Sequence, residues 1–589
     1  MSRRTRDGSV APSVFSMENE PSDRTILVAV DFGTTYSGLA WAQTRRPDHQ
    51  TTIASWPYAN SRGLEGRTSD KVPTELRYKD QGYEWGFQID DEGPRHQWFK
   101  LELDPSQSNV ISDIARQFPA RNALPPGYNA DVKKLVTDYL TALREHAERF
   151  LQLKLPQAAL RSTAIEYIIT APAVWSDAAQ AKTRECAERA GMGRGDRLQI
   201  ISEPEAAAIY TLDALDPHNV KIGDTFVLCD AGGGTVDLIS YTVSALKPML
   251  SVDEAASGTG SLCGSTYLNR IFEQYVIARF GENDGWDDEV IEDASKRFEE
   301  LTKRRFTGNP DETFSIPVPG LMDNAKQGVQ RGKFIINGDE IAQIFKPVLK
   351  EIIKLVRGQI AATSRDVKAV LLVGGFGESV YLRESLRRAL GSDIEILVPA
   401  NSWTAVVRGA LMKGLARTNP SLNQLQVHSR RARKHYGSEW SIAYDSNIHS
   451  RSRRRWSNYH GSYRITVMHW YIKKGEPVRE EETTSFHYYI HNLVSEGPPQ
   501  RLSVPIAASI DPENTGAPMY WSDGVKELVK LKTDLSFIPE ESIDRRTGED
   551  GELYYNCSYD VEMTNYSAST KYQVVYKGVR YNSVEAEYI

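Results

Sequence analysis

The chain has 589 residues, with 71 Lys and Arg against 78 Asp and Glu, for a formal net charge of −7 at pH 7. Its 40% apolar and 25% charged residues describe an ordinary globular composition, and the near balance of charge argues against a dedicated nucleic-acid or membrane-surface protein while leaving room for a local patch. A mean hydropathy of −0.46 and the lack of any run approaching ~18 apolar residues exclude a membrane-spanning helix.

In chain order, residues 1–23 lack the apolar stretch of a secretory signal. They mix early arginines with Asp7, Glu18, Glu20 and Asp23, and read as a disordered tail. Residues 24–419 alternate short apolar runs (26–30, 166–170, 226–229, 370–373) with amphipathic helical patterns, as in an α/β protein. Val132, Leu135, Val136, Tyr139, Leu140, Leu143, Ala147, Phe150 and Leu151 form one stripe. A second helix over 177–190 is capped by Ser176 and stopped by Gly191; a third carries Ile341, Phe345, Val348, Leu349, Ile352, Ile353 and Val356. From about residue 420 the texture changes. Sixteen of the 28 tyrosines lie there, with alternating segments at 463–471 and 572–579, so 420–589 is expected to be a mostly antiparallel β domain, interrupted by a helical segment at 524–532.

The four cysteines, Cys186, Cys229, Cys263 and Cys557, are widely separated and form no C-x-x-C pair, which fits a reducing compartment, most simply the cytoplasm. Seven of the eleven histidines lie from His428 onward without a paired zinc spacing, so no metal site is expected among them. A basic concentration, Arg430, Arg431, Arg433, Lys434 and then Arg451, Arg453, Arg454, Arg455, has Trp440 and Trp456 nearby. It reads as an anionic or nucleic-acid patch or as exposed linker and loop charge, and the second reading is preferred.

An internal repeat stands out. VAVDFGTT at 28–35 and VLCDAGGGT at 227–235 share one plan: an apolar strand, an aspartate, one residue, then a Gly/Thr turn leading back into a strand. Two such hairpins facing each other across a cleft would crowd backbone N–H groups around phosphate oxygens, while the aspartates would hold Mg²⁺ or its waters. No P-loop is present, and the run from Gly258 through Gly260 to Gly264 has the wrong spacing for a dinucleotide fingerprint.

DFGTTYSGLAW at 31–41, ITAPAVWSD at 169–177, SEPEAAAIY at 202–210, DAGGGTVD at 230–237 and LLVGGFGES at 371–379 together resemble the ATPase domain of the heat shock 70 chaperone family, within the actin/hexokinase superfamily. The GGFGES form and the divergent tail resemble an atypical, lid-less, fungal-type branch. The resemblance implies a duplicated two-lobed α/β ATPase, with lobe I at 24–215 and lobe II at 216–419, its last helix returning to lobe I. A lid-less β-rich substrate or partner domain would follow at 420–589.

It further implies a site for ATP or ADP with Mg²⁺. Gly33, Thr34, Thr35 and Tyr36 match the first phosphate loop and Gly232, Gly233 and Gly234 the second. Asp31 and Asp230 match the residues holding Mg²⁺, largely through water; Glu203 orders the metal and the attacking water, Thr235 lies near the γ-phosphate, Asp237 positions the water, and Lys100 in WFKLEL is the charge-stabilising lysine. Glu300, Lys303, Arg304 and Thr307, at helical spacing, match the ribose- and adenine-contacting helix, and Gly374 and Gly375 the adenosine loop. Taken alone, a Glu/Lys/Arg face is an ordinary solvated one.

The chain departs from the family in three places. Phe376, Gly377 and Glu378 stand where the family has Ser-Thr-Arg, and Trp403 replaces an acidic residue. The acidic-leucine linker is missing from 415–429. The tail also lacks the acidic C-terminal tetrapeptide read by co-chaperones. The expected function is a slowly hydrolysing chaperone-like ATPase acting on client polypeptides. The alternatives are a nucleotide-dependent scaffold or sensor and, against the SEPEAAA motif, a sugar kinase.

Overall fold

The computed structural model describes residues 25–59, 66–89, 93–105, 122–125, 128, 130–215, 220–422, 425–480, 482–509, 516–536, 538–567, 569–581 and 585–588. The expected N-terminal tail at 1–23 lies outside them.

The repeat in the sequence is a repeat in the sheets. Thr25–Asp31 is buried along its whole length and pairs antiparallel with Tyr36–Gln43; Thr225–Ala231 pairs antiparallel with Val236–Ala245. Each first strand has a parallel neighbour on its other side, Ala164–Ala171 and Val367–Val373 respectively. The strand orders then correspond: Leu198–Ser202, Ala164–Ala171, Thr25–Asp31, Tyr36–Gln43, Arg46–Ile53 in one lobe, and Glu395–Leu397, Val367–Val373, Thr225–Ala231, Val236–Ala245, Leu250–Ser261 in the other. Central parallel strands bury both faces and so read as continuous apolar runs.

Helices fill the space around these sheets. Val132–Lys154 is capped by Asp131, whose side chain accepts from the Lys134 amide at 2.8 Å, and Asp177–Arg189 is capped by Ser176. Gly338–Thr363 begins with a reciprocal Asn337/Glu340 capping box. Between the two sheets lie Glu203–Leu215 and Ala405–Thr418, the second packing on Leu27 and Ile168. A Cβ at Gly409 would lie 1.7 Å from the Ala206 carbonyl oxygen, so this crossing requires glycine.

The tail is a β-sandwich. One sheet orders Arg455–Ser457, Ser462–Ile472, His435–Ala443, Arg501–Ser509, Val525–Asp534 and Glu585–Tyr588; the other runs Thr483–Leu493, Leu553–Tyr566, Ser569–Tyr576, Val579–Tyr581. Phe486, Ile506, Val529, Leu531, Cys557, Val561 and Val574 fill the core between them. Beyond Leu422 the described residues contain no α-helix. The helix expected at 524–532 is a strand. A bulge leaves Leu528 between Val529, opposite Ile506, and Glu527, opposite Ala507, so Val525, Leu528, Val529 and Leu531 acquire a helix-like spacing on an extended chain.

Part of the segment standing where the linker is missing is sheet. Leu425–Arg431 adds to the lobe II sheet, parallel to Leu250–Ser261, and Pro477–Arg479 adds outside it. No helix among the described residues is long and apolar enough to cross a membrane.

Candidate interlobe nucleotide site

Both Gly/Thr turns are held rigidly. In the first, Thr74 donates its hydroxyl to the Gly33 carbonyl and its amide to the Thr35 carbonyl, each at 2.8 Å. In the second, the amides of Gly264, Ser265 and Thr266 donate to the carbonyls of Gly234, Gly232 and Gly233 at 3.1, 3.1 and 2.9 Å. The turns meet across the lobes. A Cβ at Gly233 would lie 2.1 Å from Thr35 Oγ1, and one at Gly234 would lie 2.7 Å from Thr34 Cγ2.

They floor a cleft of about 470 Å³, lined by Asp31, Gly33, Thr34, Thr35, Tyr36, Lys100, Glu203, Asp230, Gly232, Gly233, Gly234, Thr235, Lys303, Arg304, Gly374 and Gly375 among others. Asp237 lies behind this surface, buried against Thr235 and Gly260; a Cβ at Gly260 would be 2.6 Å from its Oδ1. The glycines at 260 and 264 thus serve the second loop and its aspartate, although their spacing matches no fingerprint.

Charge in the cleft is divided between the lobes. Lys71 donates to Asp31 Oδ2 at 2.6 Å and Lys100 to Glu203 Oε1 at 2.5 Å. Lys100 is only 1% exposed, with its ammonium 5.4 Å from the Phe32 ring and 5.3 Å from the Trp175 ring, so it is no solvated helix lysine. Among the described residues Asp230 has no hydrogen-bonded or ion-paired side-chain partner; burial, reinforced by Glu203, pushes its carboxyl up to about 8. Burial and Glu203 push Asp237 up to about 7, against the Thr235 hydroxyl. Burial also raises Glu203, partly offset by Lys100.

The nucleoside side is rearranged. A π-turn, Phe298–Thr302, in which the Lys303 amide donates to the Phe298 carbonyl, adds a residue to the helix and rotates the turn beyond it. Glu299 therefore faces the cleft, paired with Lys303 and accepting from Asn269 Nδ2 at 2.5 Å. Burial opposes ionisation of Glu299, but Lys303 outweighs it and holds the carboxyl below its ordinary range. Glu300 points away and meets Arg67 of the opposite lobe at 3.1 Å, while Thr307 bonds Glu312 at the exposed helix end; neither lines the cleft. Trp403 lines the cleft 5.8 Å from the Tyr36 ring and 5.8 Å from the Arg304 guanidinium. Glu378 accepts from Ser402 Oγ at 3.1 Å and from the Trp403 amide at 3.3 Å, which fixes the turn presenting that indole.

Sequence reasoning missed Lys71, Glu299, Asn269, Trp98 and Arg270. Trp98 adopts φ 62°, uncommon for a non-glycine residue, and stacks on the Arg270 guanidinium of the opposite lobe at 3.9 Å. Its adjacency to Lys100 in WFKLEL was the available signal.

The helix Glu203–Leu215 also looks toward the tail. Glu205 is bonded by Arg430 at 2.5 Å, by Lys413 at 3.3 Å and by Ser567, whose hydroxyl also accepts from the Ser202 amide at 3.0 Å. Burial opposes ionisation of Glu205, but Arg430 and Lys413 outweigh it and hold the carboxyl at about 2. Arg431 and Arg433 bond Glu254, and Lys434 lies 3.9 Å from Asp177. The basic run at 430–434 is thus not exposed linker charge: Arg430, Arg433 and Lys434 are ion-paired to the lobes, and the Arg431 guanidinium donates to the Glu254 and Gly475 carbonyls.

Two duplicated sheets, paired Gly/Thr hairpins and a carboxylate-lined cleft between them define a two-lobed actin-like ATPase fold, here followed by a β domain. Residues 127–420 match the family described as Hsp70 protein. The chain is similar to Heat shock 70 kDa protein 12A of Homo sapiens, with 24% identity over 493 residues, covering 67% of this chain and 70% of the relative. Heat shock 70 kDa protein 12B of Homo sapiens is 24% identical over 518 residues, 70% of this chain and 73% of the relative. Chaperone protein HscA of Pectobacterium carotovorum is 25% identical over 389 residues, 63% of this chain and 55% of the relative.

Proposed function

We propose that the chain binds Mg-ATP between its lobes, hydrolyses it slowly in the cytoplasm, and uses the nucleotide state to adjust how a lid-less β domain holds client polypeptides. The observation that carries this reading is the contact of two rigid Gly/Thr turns across a cleft in which the half-buried carboxylate of Asp230 lacks a partner among the described residues. A partly desolvated carboxylate without a partner costs stability until a cation meets it. No cluster of three or more ligating side chains occurs among the described residues. That suits Mg²⁺, which retains several waters and takes one or two carboxylates plus phosphate oxygens.

In this reading Asp31 and Asp230 hold the hydrated ion, Glu203 helps order it and the attacking water, and the amides of both turns receive the phosphates. The bound ion supplies charge neutralisation at the phosphates. Lys100, already dry and fixed by Glu203, Phe32 and Trp175, offers a preorganised positive charge. Thr235 and Asp237 orient the attacking water. Trp403 and Arg304 offer stacking surfaces for the base in place of the family's missing arginine.

Coupling to the tail is supported by one helical turn. Glu203 faces the cleft through Lys100, and Glu205, two residues on, faces Arg430 and Ser567 of the tail. Single-turnover ATPase measurement on the wild type and Asp230→Asn tests the enzyme reading: a loss of at least about 100-fold is expected, and equal rates overturn it. A second reading, a nucleotide-dependent scaffold with little turnover, draws on the ion pairs that fix 430–434 to the lobes. Tight ATP binding with negligible wild-type turnover would select it.

A further inference from the structure

The basic concentration splits into two unlike halves. In the first, 430–434, Arg430, Arg433 and Lys434 pair with Glu205, Glu254 and Asp177, and the Arg431 guanidinium donates to the Glu254 and Gly475 carbonyls. The second differs. Among the described residues none of Arg451, Arg453, Arg454 and Arg455 has a carboxylate within ion-pair distance, and all but the half-buried Arg454 are exposed. From Ser446 to Gly475 the sequence contains no Asp or Glu, yet carries Arg451, Arg453, Arg454, Arg455, Arg464, Lys473 and Lys474. These seven cations sit in a chain whose net charge is −7.

Aromatic rings hold two of these arginines, Arg453 and Arg454, in place of carboxylates. The Arg454 guanidinium lies 3.9 Å from the Tyr463 ring and 5.5 Å from the Tyr444 ring, and Arg453 lies 4.5 Å from the Tyr520 ring. Stacking fixes a guanidinium without using its N–H donors, so those donors stay available to an anion. Trp456 is 56% exposed and meets Tyr463 edge-on at 5.1 Å, leaving an indole face open beside the cations. Arg455 and Trp456 lie on Arg455–Ser457, the edge strand of its sheet, and Arg451, Arg453 and Arg454 immediately precede it. Across the hairpin Arg455 stands directly opposite Arg464, a like-charge pair that disfavours the hairpin until an anion bridges it.

We infer that this edge hairpin, 451–464, binds single-stranded nucleic acid. Unpaired guanidiniums match backbone phosphates, and the exposed indole and phenol faces match unstacked bases. An acidic peptide would use the cations and leave the rings idle. The surface belongs to the tail and does not depend on the nucleotide reading of the cleft.

The test is fluorescence anisotropy of the full chain with labelled oligo-uridylate and oligo-thymidylate of about 20 nucleotides, between about 50 and 200 mM salt. Both probes are expected to bind, with affinity falling steeply as salt rises. Replacing Arg451, Arg453 and Arg455 together by alanine should reduce the log–log salt slope by about 2. Trp456→Ala should weaken binding by roughly 5- to 150-fold while keeping the slope. Thermal melting confirms that these surface variants stay folded. Tighter binding of the uridylate would add a contact to the 2′-hydroxyl, and equal binding would assign recognition to backbone and bases; both support the inference. It is overturned if neither oligonucleotide binds at the lowest salt, if the triple variant binds like wild type, or if polyglutamate of the same length or phosphatidylserine vesicles compete as well as the oligonucleotides.

Discussion

The two phosphate-loop hairpins have the same backbone plan and opposite electrostatics. In lobe I, Asp31 is neutralised by Lys71, and Lys100 stands nearby on Glu203; in lobe II, Asp230 and Asp237 bring no cation of their own among the described residues. Duplication thus preserved the strand–Asp–Gly/Thr geometry, while among the described residues only the lobe I loop aspartate has a lysine paired to it. A cleft arranged this way is partly satisfied when empty, and its remaining deficit lies at lobe II. There a divalent cation and a triphosphate would do the most.

Substitutions at the two equivalent aspartate sites should therefore change stability in opposite directions. Lys71→Met leaves Asp31 buried without its partner and should lower the stability of the nucleotide-free protein by about 3–5 kcal/mol in chemical denaturation. Asp230→Asn should instead raise it, by roughly 2–4 kcal/mol at pH 9, because the unpaired carboxylate is removed. If both variants are destabilised alike, the electrostatic asymmetry is wrong.

The pH dependence sharpens the same point. Asp230 and Asp237 release their protons at about 8 and about 7 in the folded protein, against 3.8 for an ordinary aspartate. Between these values the folded state binds more protons than the unfolded one, so this contribution to stability is present at pH 4 and lost as pH rises to 8. Mg-ATP favours the ionised carboxylates, so the rise in melting temperature it produces should grow from pH 6 to pH 8. A constant or shrinking increment would contradict the site. The smallest effect concerns the contact between the loops. Gly234→Ala and Thr34→Ala should couple by about 1 kcal/mol in a double-mutant cycle of stability, since the added methyl meets the Thr34 side chain.

Much of this site was legible because its signals are local. A strand ending in Asp, then one residue and a Gly/Thr turn, specifies a hairpin and an anion cradle within about ten residues, and both copies folded as their sequence implies. Lys100 and Glu203 could be named, but not their 2.5 Å bond, which joins positions 103 residues apart. The nucleoside-side helix shows the limit more sharply. The spacing of Glu300, Lys303, Arg304 and Thr307 assumes a regular helix, whereas one π-turn moved Glu299 into the cleft and turned Glu300 to Arg67. The segment around Leu528 failed similarly: a bulge gave a strand the apolar spacing of a helix.

By itself, then, the sequence determined the duplicated α/β lobes, the β-rich tail and the two glycine loops, because periodicity and turn chemistry act over neighbouring residues. Tertiary structure alone decided which charges are spent. Among the described residues it buried Arg430 on Glu205, left Arg454 stacked on Tyr463 without a carboxylate, and gave Asp31 a lysine while denying one to Asp230. The reason is physical. Whether a charge is paired depends on what the fold brings within a few ångströms of it, and burial then makes each pairing, or its absence, costly to change.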